Sequence, residues 1–328
     1  MTGTTWLGLI WAGLLAASAP AFAGQADRFS LAGQTYVRIE DWARPEGFQV
    51  RWVIPKEQVK LASARGTLSF WADSRRMSFN GVNVWLAGPV VMRNASTYIT
   101  AVDLTTAIRP LLVPARNLPG KPVRTICLDP GHGGKDPGNR EGAQFEKRYT
   151  LLLAQELADQ LRTAGFKVFL TRTSDRFVDL LERVELARRR KADLFVSLHF
   201  NSADGPGGAG VKGSEVYCLT PPRTSSTNAR GEGAQSGTCP GNRFDARNIL
   251  LAHRVQRALL QRLGSEDRGV RRARFAVLRG AEMPAVLIEA GFMTHPTESR
   301  RIYDPAQRRQ MATAIVEGIR AYRDSVDR

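Results

Sequence analysis

Residues 123–134 read VRTICLDPGHGG, a mostly apolar run, Val123 to Leu128, that passes without a break into Asp129-Pro-Gly-His-Gly-Gly134. A short apolar run bounded by glycine and proline predicts a buried strand. The glycines and proline that follow demand a special backbone, which leaves His132 exposed at the strand's end. Downstream the pattern alternates. Glu146 to Thr163 carries apolar residues at 149, 152, 153, 157 and 161 on one helical face, Phe166 to Leu170 reads as a strand, Asp179 to Arg190 as a helix, and Leu194 to Leu198 as a third strand. Ser214 to Cys218 and Ala285 to Ile288 are further strands, and Asp245 to Leu263 and Ala306 to Tyr322 further helices. This alternation predicts an α/β fold over residues 123–328, a largely parallel sheet flanked by helices.

Sites in such sheets form at the carboxyl ends of strands. His132 lies at such a position after strand one, and His199, in SLHFNS, ends strand three. Glu146 opens the helix after strand one and can lie beside His132. Two imidazoles and a carboxylate make a set suited to catalytic zinc, Zn2+, with a fourth position open for water. Glu289 follows the apolar run Ala285 to Ile288 and precedes Ala-Gly. Its expected task is to take a proton from the attacking water and pass one to the departing amine.

DPGHGGKDPGN, the pair Glu146-Lys147, LTRTSD, VSLHFNSA, FAVLR and PAVLIEAGF occur in that order over most of residues 123–322. The ordered set resembles the motif series of the N-acetylmuramoyl-L-alanine amidase family called amidase 3. The resemblance implies zinc ligands His132, Glu146 and His199, a catalytic Glu289, and peptidoglycan as substrate, cut between N-acetylmuramic acid and L-alanine. Glu141 is nearer to His132 in sequence than Glu146, but it lies in the loop NREGAQ and lacks the matching Lys147 neighbour. Some family members block the zinc with an inserted helix until a partner displaces it, which makes a protein activator a candidate partner. Here the region Thr220 to Asn242 is rich in Gly, Ser, Thr, Pro and Asn and is expected to be a surface loop rather than a helix. His295, where family members often carry Asn, and His253 are expected to be structural. Rival readings are the same chemistry on another amide, and a wall-binding protein on an inactive amidase fold.

Residues 24–109 read as short strands (34–39, 48–54, 66–71, 82–86 and 97–102), predicting a small β-rich accessory domain before the α/β part. Within it, SRRMSFNGVNVWLAGPVVMRNASTYITAVDL resembles the N-terminal stalk-like domain of copper amine oxidases, which implies an accessory role and no copper site. Four prolines punctuate RPLLVPARNLPGKP, so residues 110–122 are expected to be a semi-rigid linker. Residues 1–23 carry an uncharged run ending in Ala21-Phe22-Ala23, a signal-peptide pattern that lacks the usual basic n-region. The run is just long enough for a membrane anchor, although Ala17 to Pro20 dilute it. Export to the periplasm or cell wall is expected, without stable membrane insertion after cleavage.

The formal net charge is +16. For an exported chain that surplus points to wall polymers and argues against nucleic acid as partner, since clusters such as Arg188 to Lys191 and Arg271-Arg272 lack interleaved aromatics. They are expected to be solvated faces. Of three cysteines, Cys127 is expected to be a buried free thiol, while Cys218 and Cys239 are candidates for a bridge if their Cα separation allows one.

Overall fold

The computed structural model describes residues 26–227 and 237–327; the leader read over residues 1–23 lies outside them. In the N-terminal region, strands β1 (Arg28–Leu31), β2 (Gln34–Arg38), β3 (Gln49–Ile54), β4 (Gln58–Ser63), β5 (Gly66–Trp71), β6 (Arg76–Phe79), β7 (Val82–Trp85), β8 (Val91–Arg93) and β9 (Ser96–Thr100) accompany short helices α1 (Ile39–Ala43), α2 (Ala101–Asp103) and α3 (Arg109–Leu112). The remainder contains β10 (Thr125–Pro130), β11 (Arg140–Glu141), β12 (Gln144–Phe145), β13 (Lys167–Leu170), β14 (Leu194–Asn201), β15 (Ser214–Leu219), β16 (Asp267–Ala273) and β17 (Ala285–Phe292). Its helices are α4 (Glu146–Thr163), α5 (Leu180–Arg189), α6 (Asp245–Leu263), α7 (Ala276–Arg279), α8 (Pro296–Tyr303) and α9 (Pro305–Val326).

The central sheet runs β13-β10-β14-β17-β15-β16, parallel throughout except where β17 meets β15. Both faces are covered, and the side chains divide with a period of two, as a strand requires. Ile126, Leu128, Val196, Leu198, Val286 and Ile288 join the core beneath α4, α6 and α9. Cys127, Phe195, Ala285 and Leu287 point the other way, against Val184 of α5 and Val277 and Leu278 of α7. On α4, Leu153, Leu157 and Leu161 are fully buried, each worth roughly 1.5–3 kcal/mol relative to exposure. Helices α6 and α9 approach closely at Gly318, where a Cβ would fall 2.6 Å from the Val255 Cα.

Two strands run further than their apolar residues suggest. β14 continues through His199 to Asn201, and β17 through Glu289 to Phe292, because His199 and Glu289 face each other in register before a bulge at residues 199–201. The expected linker is partly helical: a helical stretch from Ala101 runs through a wider turn at Leu104–Ile108 to Leu112 and buries Pro110 and Leu111. Cys218 and Cys239 are not bridged; all three cysteines are free, and Cys127 and Cys218 are buried.

The N-terminal region is β-rich, as expected, and part of it pairs on to the central sheet. Strands β7-β6-β5-β4-β3 extend the central sheet, joined by parallel pairing of Val84 with Val270 of β16. Trp85 Nε1 donates to the Arg268 carbonyl at 2.9 Å, and the Asn83 amide to Asp267 Oδ2 at 2.7 Å. A second sheet, β1-β2-β9-β8, completes the region.

His253 is structural, as expected. Fully buried in α6, it lies 3.2 Å through Nε2 from the Phe79 carbonyl, and its Nδ1 has no partner among the described residues. Burial lowers its pKa to about 4. The native state therefore resists a proton that the unfolded chain, titrating near 6.5, accepts. Stability contributed by the neutral ring is present above pH 6.5 and is lost as pH falls towards 4. In urea unfolding, the stability of parent relative to His253→Gln is expected to fall by about 1.4 kcal/mol per pH unit across that window. A difference independent of pH would refute the burial argument.

Candidate metal centre and active site

At the end of β10 the chain turns through His132, a non-glycine residue at φ +62°, a conformation that costs on the order of 1–3 kcal/mol unless its surroundings hold it. Two buried arginines do so. Arg183 Nη2 donates to the His132 carbonyl at 2.9 Å, and its Nη1 to Asp129 Oδ1 at 2.8 Å and the Pro130 carbonyl at 2.9 Å. Arg172 donates to the carbonyls of Pro130 (3.0 Å), Gly131 (2.8 Å) and Lys147 (2.7 Å). Asp129 also accepts from Thr171 and Ser197. The strand's exit is thus tied to the elements on both sides of it.

Against this loop stands Glu146, 1% exposed at the first position of α4. Its Oε2 lies 3.0 Å from His132 Nε2 and accepts the Asn139 amide at 2.9 Å. Its Oε1 lies 2.9 Å from His199 Nδ1 and accepts the Phe200 amide at 3.1 Å. His132 turns its other nitrogen to Asp136 Oδ2 at 2.8 Å, a contact that fixes the ring. Glycines make room: a Cβ on Gly131 would fall 2.3 Å from the His199 ring, and one on Gly138 2.6 Å from Glu146 Oε2.

Ligand atoms from His132, Glu146 and His199 all lie within 4.8 Å of one another, so these three residues can hold a metal ion. Glu141 takes no part in that cluster. It pairs with Gln144 in the small β11–β12 ribbon. Burial alone would raise the Glu146 pKa, but hydrogen bonds from both imidazoles outweigh it and hold the carboxyl well below the usual range. Burial likewise disfavours a charged His132, yet Glu146 and Asp136 win and its pKa is raised.

Glu289 shares a cavity of about 350 Å³ with His132, Glu146 and His199, bordered also by Asp129, Asn139, Leu180 and Phe275. Its Oε2 is buried with no hydrogen-bond partner among the described residues. Burial, then the charges of Glu146 and Glu215, push its carboxyl well above the usual range. All four residues singled out in the sequence therefore meet at one cavity. A buried carboxyl with a raised pKa, next to a His/Glu/His cluster, is the kind of group that functional sites contain.

The family model described as N-acetylmuramoyl-L-alanine amidase matches residues 126–321, the stretch that builds this centre. The chain belongs to this family. It is 36% identical over 219 residues to the amidase AmiC of Neisseria meningitidis serogroup B, covering 60% of this chain and 52% of that one. It is 34% identical over 223 residues to the amidase AmiA of Escherichia coli K12, covering 61% and 76%. Against the Neisseria relative, the chain spans about half the curated length. Among solved structures, the amidase AmiC2 of Nostoc punctiforme is similar with a TM-score of 0.51 at 35% identity, over 62% of this chain and 98% of that one.

Other expectations on the amidase part resolve as follows. His295 caps α8, its Nδ1 accepting the amides of Thr297 (3.3 Å) and Glu298 (3.4 Å), and it does not line the cavity. Residues 228–236 of the expected loop lie outside the described residues, while Thr224 and Ser226 before them are buried. Arg271 and Arg272 are not a solvated face. Arg272 is fully buried, and Arg271 Nε lies 2.7 Å from Glu215 Oε2. The supporting roles of Arg172 and Arg183 were not read from the sequence. For Arg172 the signal was there in LTRTSD, whose arginine follows strand β13.

The Arg183–Asp129 pair is nearly inaccessible, with 2% and 1% side-chain exposure. Removing one partner of such a pair leaves a buried charge, at a cost of roughly 3–5 kcal/mol. Arg183→Met is expected to lose that much in urea unfolding, and Arg183→Met/Asp129→Asn to recover part of it. A loss below about 1 kcal/mol for the single variant would contradict the assignment.

Proposed function

We propose that this chain is an exported zinc amidase that hydrolyses the amide between N-acetylmuramic acid and L-alanine in peptidoglycan. The observation that carries the reading is the convergence of His132, Glu146 and His199 on one edge of a cavity that also holds Glu289. Family membership supports the amide bond and the wall substrate.

The donor set fits zinc. Nitrogen or oxygen ligands about 2.0–2.1 Å from one tetrahedral zinc lie about 3.3 Å apart; the imidazole nitrogens stand 3.0 and 2.9 Å from different oxygens of Glu146, and one ligand atom from each residue lies within 4.8 Å of the others. The three donors are one carboxylate and two imidazoles, the pattern of catalytic sites that keep a position open. When bound, zinc supplies an acidified water and polarises the amide carbonyl.

The chain's own residues do the rest. Asp136 holds the His132 ring so that Nε2 faces the centre, and the amides of Phe200 and Asn139 hold Glu146. Glu289 has an unpartnered buried oxygen in the same cavity, and a cation held by the three ligands would favour its ionised form, the form that can accept a proton. It is suited to receive a proton from the attacking water and deliver it to the departing alanine nitrogen. The stem peptide leaves with a free amino terminus, and the sugar keeps the lactyl carboxylate.

Export by residues 1–23 belongs to the same reading, as does an accessory role for the region resembling copper amine oxidase N-terminal domains. No helix among the described residues is long and apolar enough to cross a membrane.

The test compares parent and Glu289→Gln on purified peptidoglycan, with zinc measured by atomic spectroscopy and products by mass spectrometry. About one zinc per chain in both proteins is expected. Stem-peptide release should come from the parent and fall by a factor of roughly 10² or more in the variant. Release by the variant at the parental rate would remove Glu289 from the mechanism, and products cut elsewhere would overturn the substrate.

A further inference from the structure

Of the motifs in the α/β part, FAVLR has no task in the chemistry above. It contributes Phe275 and α7 to the cavity wall, beside Leu180 from the start of α5. Both side chains are large, apolar and exposed, Leu180 at 51% and Phe275 at 38%. Phe177 and Leu181, in the same stretch as Leu180, are exposed as well. Single exposed apolar residues need no explanation, but Leu180 and Phe275 both border the cavity that holds the three candidate ligands and Glu289, where exposed apolar surface marks a binding site.

These side chains are exposed yet firmly seated. The Phe275 ring stands edge-on against Tyr217, centroids 5.1 Å apart, and the Tyr217 hydroxyl donates to Glu215 Oε1 at 2.9 Å. Leu180 opens a helix capped by Asp179, whose Oδ1 accepts the Leu181 amide at 2.9 Å. Behind them Val184 of α5 and Val277 and Leu278 of α7 share one buried cluster, which locks the two elements together. Folding gains little from apolar surface left in water. A ligand that covers that surface gains what folding leaves unused.

We propose that Leu180 and Phe275 form an apolar jaw that receives the small alkyl groups flanking the scissile amide, and so determine preference for a methyl-bearing substrate. The inference rests on the amidase reading, because that substrate carries a methyl on each side of the bond: the lactyl methyl on the acyl side and the alanyl methyl on the amine side. The jaw is a specificity element and touches neither the proton nor the metal. One methyl in an apolar pocket changes kcat/KM by roughly tenfold or more.

The experiment uses the full chain and three defined muropeptides: N-acetylmuramoyl-L-alanyl, its glycyl counterpart, and one whose lactyl ether is replaced by glycolyl. kcat/KM is measured for parent, Leu180→Ala, Phe275→Ala and Phe275→Leu, with zinc content and circular dichroism verifying each fold. The parent is expected to favour the first substrate over at least one of the others by roughly tenfold. Each alanine variant should reduce that ratio to about twofold, while Phe275→Leu keeps most of it. The arm that collapses identifies which methyl the jaw holds. Parental ratios retained by both alanine variants, or no preference in the parent on either arm, overturn the proposal. A parent that binds zinc but cleaves none of the three overturns the amidase reading instead.

Discussion

A carboxylate taken almost wholly out of water must be surrounded by donors, and Glu146 imposes that requirement on the whole α/β part. Its four partners come from two places: His132 and Asn139 from the loop after β10, His199 and Phe200 from the end of β14, all reaching the first turn of α4. No two of these segments can shift independently without leaving a charge unpaired. The parallel pairing of β10 with β14, and the glycines at 131 and 138, are the geometric terms on which that convergence is met.

The same logic explains why a chain with so large a positive surplus buries arginines. Around the DPGHGG turn the carbonyls of Pro130, Gly131 and His132 all face buried arginine side chains. Guanidinium groups offer five donors in a fixed fork, and Arg172 and Arg183 between them satisfy all three carbonyls. Asp129 offsets part of the resulting charge. Surface ion pairs such as Arg188–Glu185 differ in kind, since solvent screens them and they contribute little.

Much of this was legible before any coordinates. The buried strands and the helices Glu146–Thr163 and Asp245–Leu263 stand where their periodicity predicts, because a sheet covered on both faces needs apolar runs and a helix needs an apolar stripe. His132, Glu146, His199 and Glu289 were legible as strand-end and helix-start polar residues. What escaped was whatever polar residues do inside. β16 reads DRGVRRA and looks like a loop, yet it pairs on both edges, and its arginines are absorbed by Glu215 and by the Leu219 and Thr106 carbonyls. The extension of β14 and β17 past their apolar runs escaped because a polar residue, His199 or Glu289, interrupts each run, although Phe200 and Ala290 just beyond return to the core. Leu180 and Phe275 lie about 95 positions apart and come to one cavity only through the packing of α5 on α7, which no local pattern encodes.

The continuity of the sheet across the N-terminal region is also invisible to local patterning, and it follows from β16. That strand has β15 on one side, and without β7 its other side would present unpaired amides and carbonyls at the edge of a sheet, a surface prone to pairing with other chains. Its hydrophilic composition alone does not remove the problem, because the main-chain groups remain. β7 closes the edge at Val84, Trp85 adds a hydrogen bond and stacks beneath Arg271 at 4.9 Å, and Phe79 receives His253 from the helix behind. Arg271, together with Arg268, also pairs with Glu215, the carboxylate in register with Glu289 on the neighbouring strand. The N-terminal region therefore reaches to within two residues' contact of the Glu289 carboxyl. A tether that merely carried the α/β part would have no reason to bury its strand, its tryptophan and its backbone carbonyl against that wall.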